Sequence, residues 1–429
     1  MIEKRTVLIL GAGSSYEVGF PLGKELIRQI YAFVQGNSLG YRRDGQGKII
    51  DKVLSNATLL WTLLEITGVK KENGGAYSVD DIKHFAHDLW DAQPDSIDDF
   101  LFNRREYSLI GKLCVLFVLS GYENTKRFQP FQEINHGTIA IPREYESRTE
   151  DYIAKVNLNG KWQFSSFGWY EYLWGRLQEG TGGDFEKLKQ NKLSVITFNY
   201  DRSLEHFLFT AIKATYGLQQ READAADFFI NVPVKHVYGE LGVLPWKFNY
   251  LQEYRNQNDA LNDFSPWEAN VLFRLYGNLG EYGMTRDDWE PARAVLSEQS
   301  RLNMAKMFVA RAKEIKTYHE FPQRSDCTEI LKNAERIYFL GCGYHEQNIQ
   351  VLGLDKEDQK TNRLPLSSDV EIFGTAIGMS DIERENIMFY VASFSGGPNK
   401  VNIESQWEGI GSEEFSKITS FLRNIAPLE

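Results

Sequence analysis

Apolar residues gather along this chain in short unbroken runs that end at glycine, and between those runs they recur at helical spacing. Val7-Leu8-Ile9-Leu10 leads straight into Gly11-Ala12-Gly13. A run without polar alternation predicts a strand covered on both faces, as in parallel sheets. After Gly19-Phe20-Pro21, residues Leu26, Ile30, Phe33 and Val34 recur with a helical period. Strand, glycine turn and helix are the opening of a nucleotide-binding α/β unit. Further strands are predicted at 193–197, 234–238, 336–340, 370–373 and 387–391.

The stretches between these runs read differently. Residues 55–180 are mostly helical by pattern: a helix begins at Ile97, and 109–119 is apolar enough to be a buried one. Phe167, Tyr170, Trp174 and Leu177 form one helical face, read as core in preference to a pocket lining. Gly36 to Gly47 and 123–160, with their Gly, Asn and Pro, read as connections or an irregular hairpin. The expected fold is α/β, a Rossmann-like, mostly parallel sheet with large, mainly helical insertions. The core would take 1–35, 190–242 and 330–400, with insertions at 50–185 and 245–325.

Composition narrows the function classes. With 42% hydrophobic and 25% charged residues over 429 positions, the chain is that of a globular protein. A net charge of −11 argues against direct binding of duplex DNA, which needs clustered Lys and Arg. The three cysteines, Cys114, Cys327 and Cys342, form no C-x-x-C pair, so neither a zinc ribbon nor a disulfide framework is expected. No metal site and no membrane association are expected, and no apolar run approaches the ~20 residues of a membrane span. The N-terminal apolar stretch is too short for a signal h-region, which points to a cytoplasmic protein.

Four positions carry candidate chemistry. The turn Gly11-Ala12-Gly13-Ser14-Ser15 lets the backbone approach a pyrophosphate. A dehydrogenase would place an acidic residue ~20 positions further on, at the end of a second strand; here Tyr31-Ala32-Phe33-Val34 stands in helix instead, which disfavours hydride transfer. Thr197-Phe198-Asn199-Tyr200-Asp201 puts Asn199 and Asp201 at a strand's carboxyl end, where either a ligand contact or a cap for the following helix would use them. His236, ahead of Gly239, reads as a base at the same sheet end or as a packed strand histidine. Phe339-Leu340-Gly341-Cys342-Gly343-Tyr344 is a second strand running into a Gly-x-Gly turn, which serves a ligand or is simply a strained loop.

Taken in order, Gly-Ala-Gly-Ser-Ser…Gly-Phe-Pro, Thr-x-Asn-Tyr-Asp, His-x-x-Gly-x-Leu-Gly and Phe-Leu-Gly-x-Gly-Tyr resemble the sirtuin superfamily. Within it, the chain is most similar to the sirtuin-like NADases of bacterial antiphage defence. Ser96-Ile97-Asp98-Asp99-Phe100-Leu101 and Gly374-Thr375-Ala376-Ile377-Gly378 also resemble segments of those proteins. The resemblance implies NAD as substrate. Gly11, Ala12, Gly13 and Ser14 would cradle its phosphates, with Phe20, Pro21, Thr197 and Gly239 bordering it and Gly341 and Gly343 at its adenosine half. Asn199 would orient the attacking water, Asp201 would support the ribose or that asparagine, and His236 would be the base.

Three features depart from the deacylase pattern. Leu22-Gly23-Lys24 replaces the Asp-Phe-Arg that follows Gly-Ile-Pro, the zinc cysteines are absent, and Tyr238 stands directly before the glycine where a histidine is usual. A two-residue shift along a strand keeps the same face, so His236 can still point to the site. The implied reaction is hydrolysis of the nicotinamide–ribose bond to nicotinamide and ADP-ribose, as a defence effector that depletes NAD. The rival readings are an NAD-dependent protein deacylase and a non-catalytic sensor of NAD or ADP-ribose. Resemblance and length imply a HerA-type DNA-translocating ATPase as partner, and a homo-oligomer.

Overall fold

The computed structural model describes residues 1–43, 49–122, 168–242, 244–250, 298–317, 320, 325–354, 366, 369–376, 379–392, 401–404 and 417–428. Its strands are β1 (Thr6–Leu10), β2 (Asn37–Arg43), β3 (Ile49–Ser55), β4 (Leu193–Thr197), β5 (Val234–His236), β6 (Arg336–Leu340), β7 (Glu371–Thr375) and β8 (Val401–Glu404). Six of them form one parallel sheet in the order β5-β4-β1-β6-β7-β8. Numbered along the chain within that sheet, the order is 3-2-1-4-5-6, that of the Rossmann fold. Strand order reverses between β1 and β6, which makes their carboxyl ends the switch-point crevice where such sheets bind ligands.

Both faces of the sheet are covered, which is why its strands carry little polar alternation. Along β1, Leu8 and Leu10 belong to one apolar cluster while Val7 and Ile9 belong to the other, on the opposite face. Tyr338 and Leu340 of β6 divide from Ile337 and Phe339 in the same way. The first face is packed by helices Gly23–Gln35, Val79–Ala92, Ser108–Tyr122, Trp169–Gln178 and Ser203–Tyr216 among others. The second is packed by Ser325–Lys332, Glu346–Val351 and Asp381–Ala392. No described helix is long and apolar enough to cross a membrane.

The expected strands at 193–197 and 336–340 occur with those bounds, and 234–238 shortens to Val234–His236. One expectation needs correction, and one strand was not expected. Residues 387–391 are not a strand; they lie in the helix Asp381–Ala392. Ser380 and Glu383 cap that helix reciprocally, Glu383 N donating to Ser380 Oγ at 3.3 Å and Ser380 N to Glu383 Oε2 at 2.7 Å. Phe389 is 68% exposed, so the apolar run belongs to an outer helix and not to a buried strand. The sixth strand is β8, a short alternating Val-Asn-Ile-Glu that the sequence reading passed over.

The segment after Gly36 is an antiparallel hairpin, β2 with β3, separate from the main sheet. The predicted connection at 123–160, Phe167, most of the 245–325 insertion, and Ile377 and Gly378 lie outside the described residues. From that insertion, Pro245–Tyr250 and Glu298–Glu314 are helices, as expected.

Candidate functional site

Two glycine turns meet back to back at the switch point. Gly11 N donates to Leu340 O at 3.0 Å and Gly13 N to Gly341 O at 2.9 Å. A Cβ on Gly11 would stand 2.5 Å from Gly341 O, and one on Gly341, whose φ is +63°, would stand 2.1 Å from Ser14 N. These glycines let two loops touch where side chains would collide. Thr375 Oγ1, at the end of β7, accepts from Gly341 N at 2.8 Å and holds the second turn in place.

That contact uses donors which the sequence reading gave to phosphates. The amides of Gly11, Gly13 and Ser14 are engaged within the protein, and Ser14 Oγ donates back to Gly11 O at 2.7 Å. Ala12 is exposed at the tip of the turn, and its amide has no acceptor among the described residues. Phe20 and Pro21 are buried, Phe20 with its ring 5.9 Å from that of Tyr122, so they brace the turn from the core side. Gly239, at φ +85°, gives way to Glu314 O, and Gly343 to the His345 ring.

Asn199 joins the first turn from β4. Its Nδ2 lies 2.9 Å from Gly11 O, 2.8 Å from Ser15 Oγ and 3.1 Å from Ser14 Oγ. A carbonyl only accepts, so the amide nitrogen must be the atom facing Gly11, which fixes the rotamer. Asn199 Oδ1 therefore faces away from the turn, and among the described residues no donor reaches it. Thr197, buried at the end of β4, steadies the segment by accepting from Asn199 N at 3.0 Å.

Asp201 sits beneath this amide. Ser15 Oγ donates to its Oδ2 at 2.6 Å, while Ser203 N, at 3.2 Å, and Ser203 Oγ donate to its Oδ1. Tyr170 OH pairs with Ser203 Oγ at 2.8 Å and Trp169 Nε1 donates to Ser14 O at 3.0 Å. The helix Trp169–Gln178 thus underpins the turn, and Tyr170 and Leu177 are core residues as the sequence suggested. Neither candidate is the N-cap of the helix Ser203–Tyr216, which is Arg202; Asp201, one residue earlier, accepts from the first helical amide, Ser203 N, and Asn199 turns to the glycine loop.

His236 is reached through the backbone of Asn199. Its Nδ1 lies 2.9 Å from Asn199 O and its Nε2 2.8 Å from Glu205 Oε1. Both neighbours are acceptors, so both ring nitrogens carry protons and the ring is an imidazolium. Burial opposes that charge, but the Glu205 carboxylate outweighs it and the His236 pKa is raised; Glu205 in turn is pushed far below the carboxylate range by Lys247 and His236. The Lys247 ammonium bridges Glu205 at 2.9 Å and Glu240 at 3.0 Å. Glu205, His236 and Glu240 have the donor set of a metal site, with ligand atoms within 4.8 Å of one another. Lys247 already occupies the place of the cation, so the cluster is two carboxylates neutralised by two protein cations.

No family model matches the chain, and neither a curated relative nor a solved structure does.

Asp98 was the residue the sequence reading left without a role. It opens the helix Ile97–Asn103, capped by Ser96, and its Oδ1 lies 3.4 Å from the phenol of Tyr200, the neighbour of Asn199. Desolvation, with Asp99 and Glu320 close by, pushes its carboxyl up to about 7 despite the Tyr200 hydrogen bond and the Lys112 charge. Tyr238 closes the other side, its OH donating to Asn348 Oδ1 at 2.6 Å.

Proposed function

We propose that the protein is an NAD⁺ glycohydrolase that cleaves the nicotinamide–ribose bond and releases nicotinamide and ADP-ribose. The observation that carries the reading is the meeting of Asn199 with the Gly11 turn at the switch point of a Rossmann-ordered sheet. The Ala12 amide offers a phosphate contact, while the contact of Gly11 and Gly13 with Gly341, and buried Phe20, hold that amide in position. Asn199, anchored through Nδ2, turns Oδ1, which no donor among the described residues reaches, away from the turn as an acceptor for a water hydrogen or a ribose hydroxyl.

Nicotinamide departs as a neutral molecule and needs no acid, and the charge it leaves on the ribose resembles that of other glycosidic cleavages. Placing the water is then the larger task for the protein. In this scheme His236 is a strut that holds the Asn199 carbonyl, and Asp201 seats Ser15 beneath the amide. Both act by positioning. The wider reading is a cytoplasmic, oligomeric antiphage effector that depletes NAD alongside a HerA-type ATPase; it rests on the order of the motifs.

The test is chromatographic analysis of products after incubation with NAD. Wild-type protein is expected to give nicotinamide and ADP-ribose in equal amounts. Asn199→Ala is expected to lose at least about 100-fold in rate, the scale on which misplacing a reactant acts, with an unchanged far-ultraviolet spectrum. Equal turnover by the two proteins would discard the mechanism.

A further inference from the structure

The proposed hydrolysis releases a proton, and the groups first assigned to handle it are occupied. As water attacks, its oxygen bonds to C1′ of the ribose, the C1′–nitrogen bond breaks with its electron pair going to nicotinamide, and one water proton must find an acceptor. His236 offers no lone pair, because Asn199 O and Glu205 hold both ring nitrogens as donors. Asp201 lies below the turn and takes hydrogen bonds from Ser15 and from both the amide and the hydroxyl of Ser203. Cys342, the thiol nearest the glycine turns, is pushed up to about 12 by burial and hydrogen-bonds to Ile9 O at 3.3 Å.

Asp98 is placed differently. It is partly exposed, and its contact at 3.4 Å is with a Tyr200 phenol that also donates to Lys316 O at 3.0 Å. The charged groups facing it are Asp99 on its own helix, Lys112 on Ser108–Tyr122, and Glu320. The Lys112 ammonium is committed to Glu320 at 2.5 Å, and the Asp99 carboxylate accepts from Ser96 Oγ at 2.8 Å. The chain just before Asp98 packs on the segment that follows the first glycine turn: a Cβ on Gly23 would lie 3.0 Å from Asp95 O, and Lys24 pairs with Asp95 at 3.0 Å. Asp98 is thereby joined both to that segment and to the residue beside Asn199.

We infer that Asp98 is the base that accepts the proton of the attacking water, an assignment that rests on the hydrolysis proposed above. Its carboxylate becomes a carboxylic acid as the ribose–oxygen bond forms, and it returns the proton to solvent once ADP-ribose leaves. A carboxyl pushed up to about 7 is half ionised near neutral pH, where general-base efficiency is greatest. Its raised pKa also has a cost in stability. The folded state holds the proton more tightly than the unfolded chain, so ionisation above the ordinary value of 3.8 weakens the fold progressively as pH rises towards 7.

The experiment measures nicotinamide release from pH 5 to 9, and thermal melting at pH 4 and pH 8, for wild-type protein and Asp98→Asn. Asparagine keeps an acceptor for Tyr200 and removes the proton-accepting carboxylate. The wild-type rate is expected to rise with pH through a midpoint near 7. Asp98→Asn is expected to lose about 100-fold or more at pH 8, the usual range for general-base catalysis, and to lose that pH limb. It should melt higher than wild type at pH 8 and alike at pH 4. A variant that keeps the rate or the limb overturns the assignment, as does one that loses activity while melting lower at pH 8, the signature of a structural carboxylate. Wild-type protein that releases no nicotinamide would sink the hydrolase reading, and this assignment with it.

Discussion

His236 and Glu205 show how a single residue's role follows from its neighbours. Their side chains are 6% and 2% exposed, and each is charged because the other is. Removing one partner of such a buried pair is expected to cost about 3 kcal/mol, the lower end of the usual range because Lys247 still faces Glu205. The pH dependence has a definite sign. Glu205, lowered from 4.5, stabilises the fold fully above that value and less as pH falls; His236, raised from 6.5, does so fully below that value and less as pH rises through its folded pKa. The melting difference between wild type and His236→Ala should therefore be largest between pH 4.5 and 6.5 and narrow on both sides. His236→Ala should also slow nicotinamide release while leaving the pH limb of Asp98 in place. Asn199 and the glycine turns were legible as motifs, since their spacing survives in the linear sequence. Asp98 was not, because its raised pKa comes from desolvation that only the folded chain imposes, among neighbours as distant in sequence as Tyr200, 102 positions away.

At the scale of elements, the buried strands were the easiest to read. Residues 7–10 and 337–340 are covered on both faces, where unbroken apolar runs fit. The same rule misled at 387–391, where five apolar and aromatic residues lie in a helix whose signal is the Ser380-x-x-Glu383 box upstream. β8 escaped because four residues of alternating pattern at a sheet edge carry too little signal. The contact between the glycine turns gives this scale its own expected outcome. Gly341→Ala puts a methyl against Ser14 N at a backbone angle that disfavours side chains. It is expected to lower the melting temperature, and to reduce nicotinamide release in the protein that still folds, by shifting the turn that carries Ala12. Gly217→Ala, where φ is +64° but nothing lies within 4 Å, is the control that separates backbone strain from collision.

Across the whole molecule, the C-terminal helix Lys417–Asn424 and the residues after it tie the N-terminal half together. Ile418, Phe421, Leu422 and Leu428 are buried, Tyr172 and Tyr338 donate to Leu422 O and Pro427 O, and Ile418 N donates to Glu17 Oε1. Deleting 417–429 removes these four buried apolar side chains, each of which contributes about 1.5–3 kcal/mol by its burial, a sum comparable to the roughly 5–15 kcal/mol of net stability of a folded domain. The truncated chain is expected to be insoluble or to lack a cooperative melting transition.

The union of the Gly11 and Gly341 turns also bears on how the protein is made. The supporting partner of the first turn, Gly341, follows Gly11 by 330 residues in the sequence. At roughly 5–20 residues per second, tens of seconds separate the two. Over the 142 positions from Asn199 to Gly341, the growing polypeptide carries Asn199 with no completed floor beneath it. The activity proposed above would thus stay silent until the second turn has been translated, with the order of the strands serving as a timer.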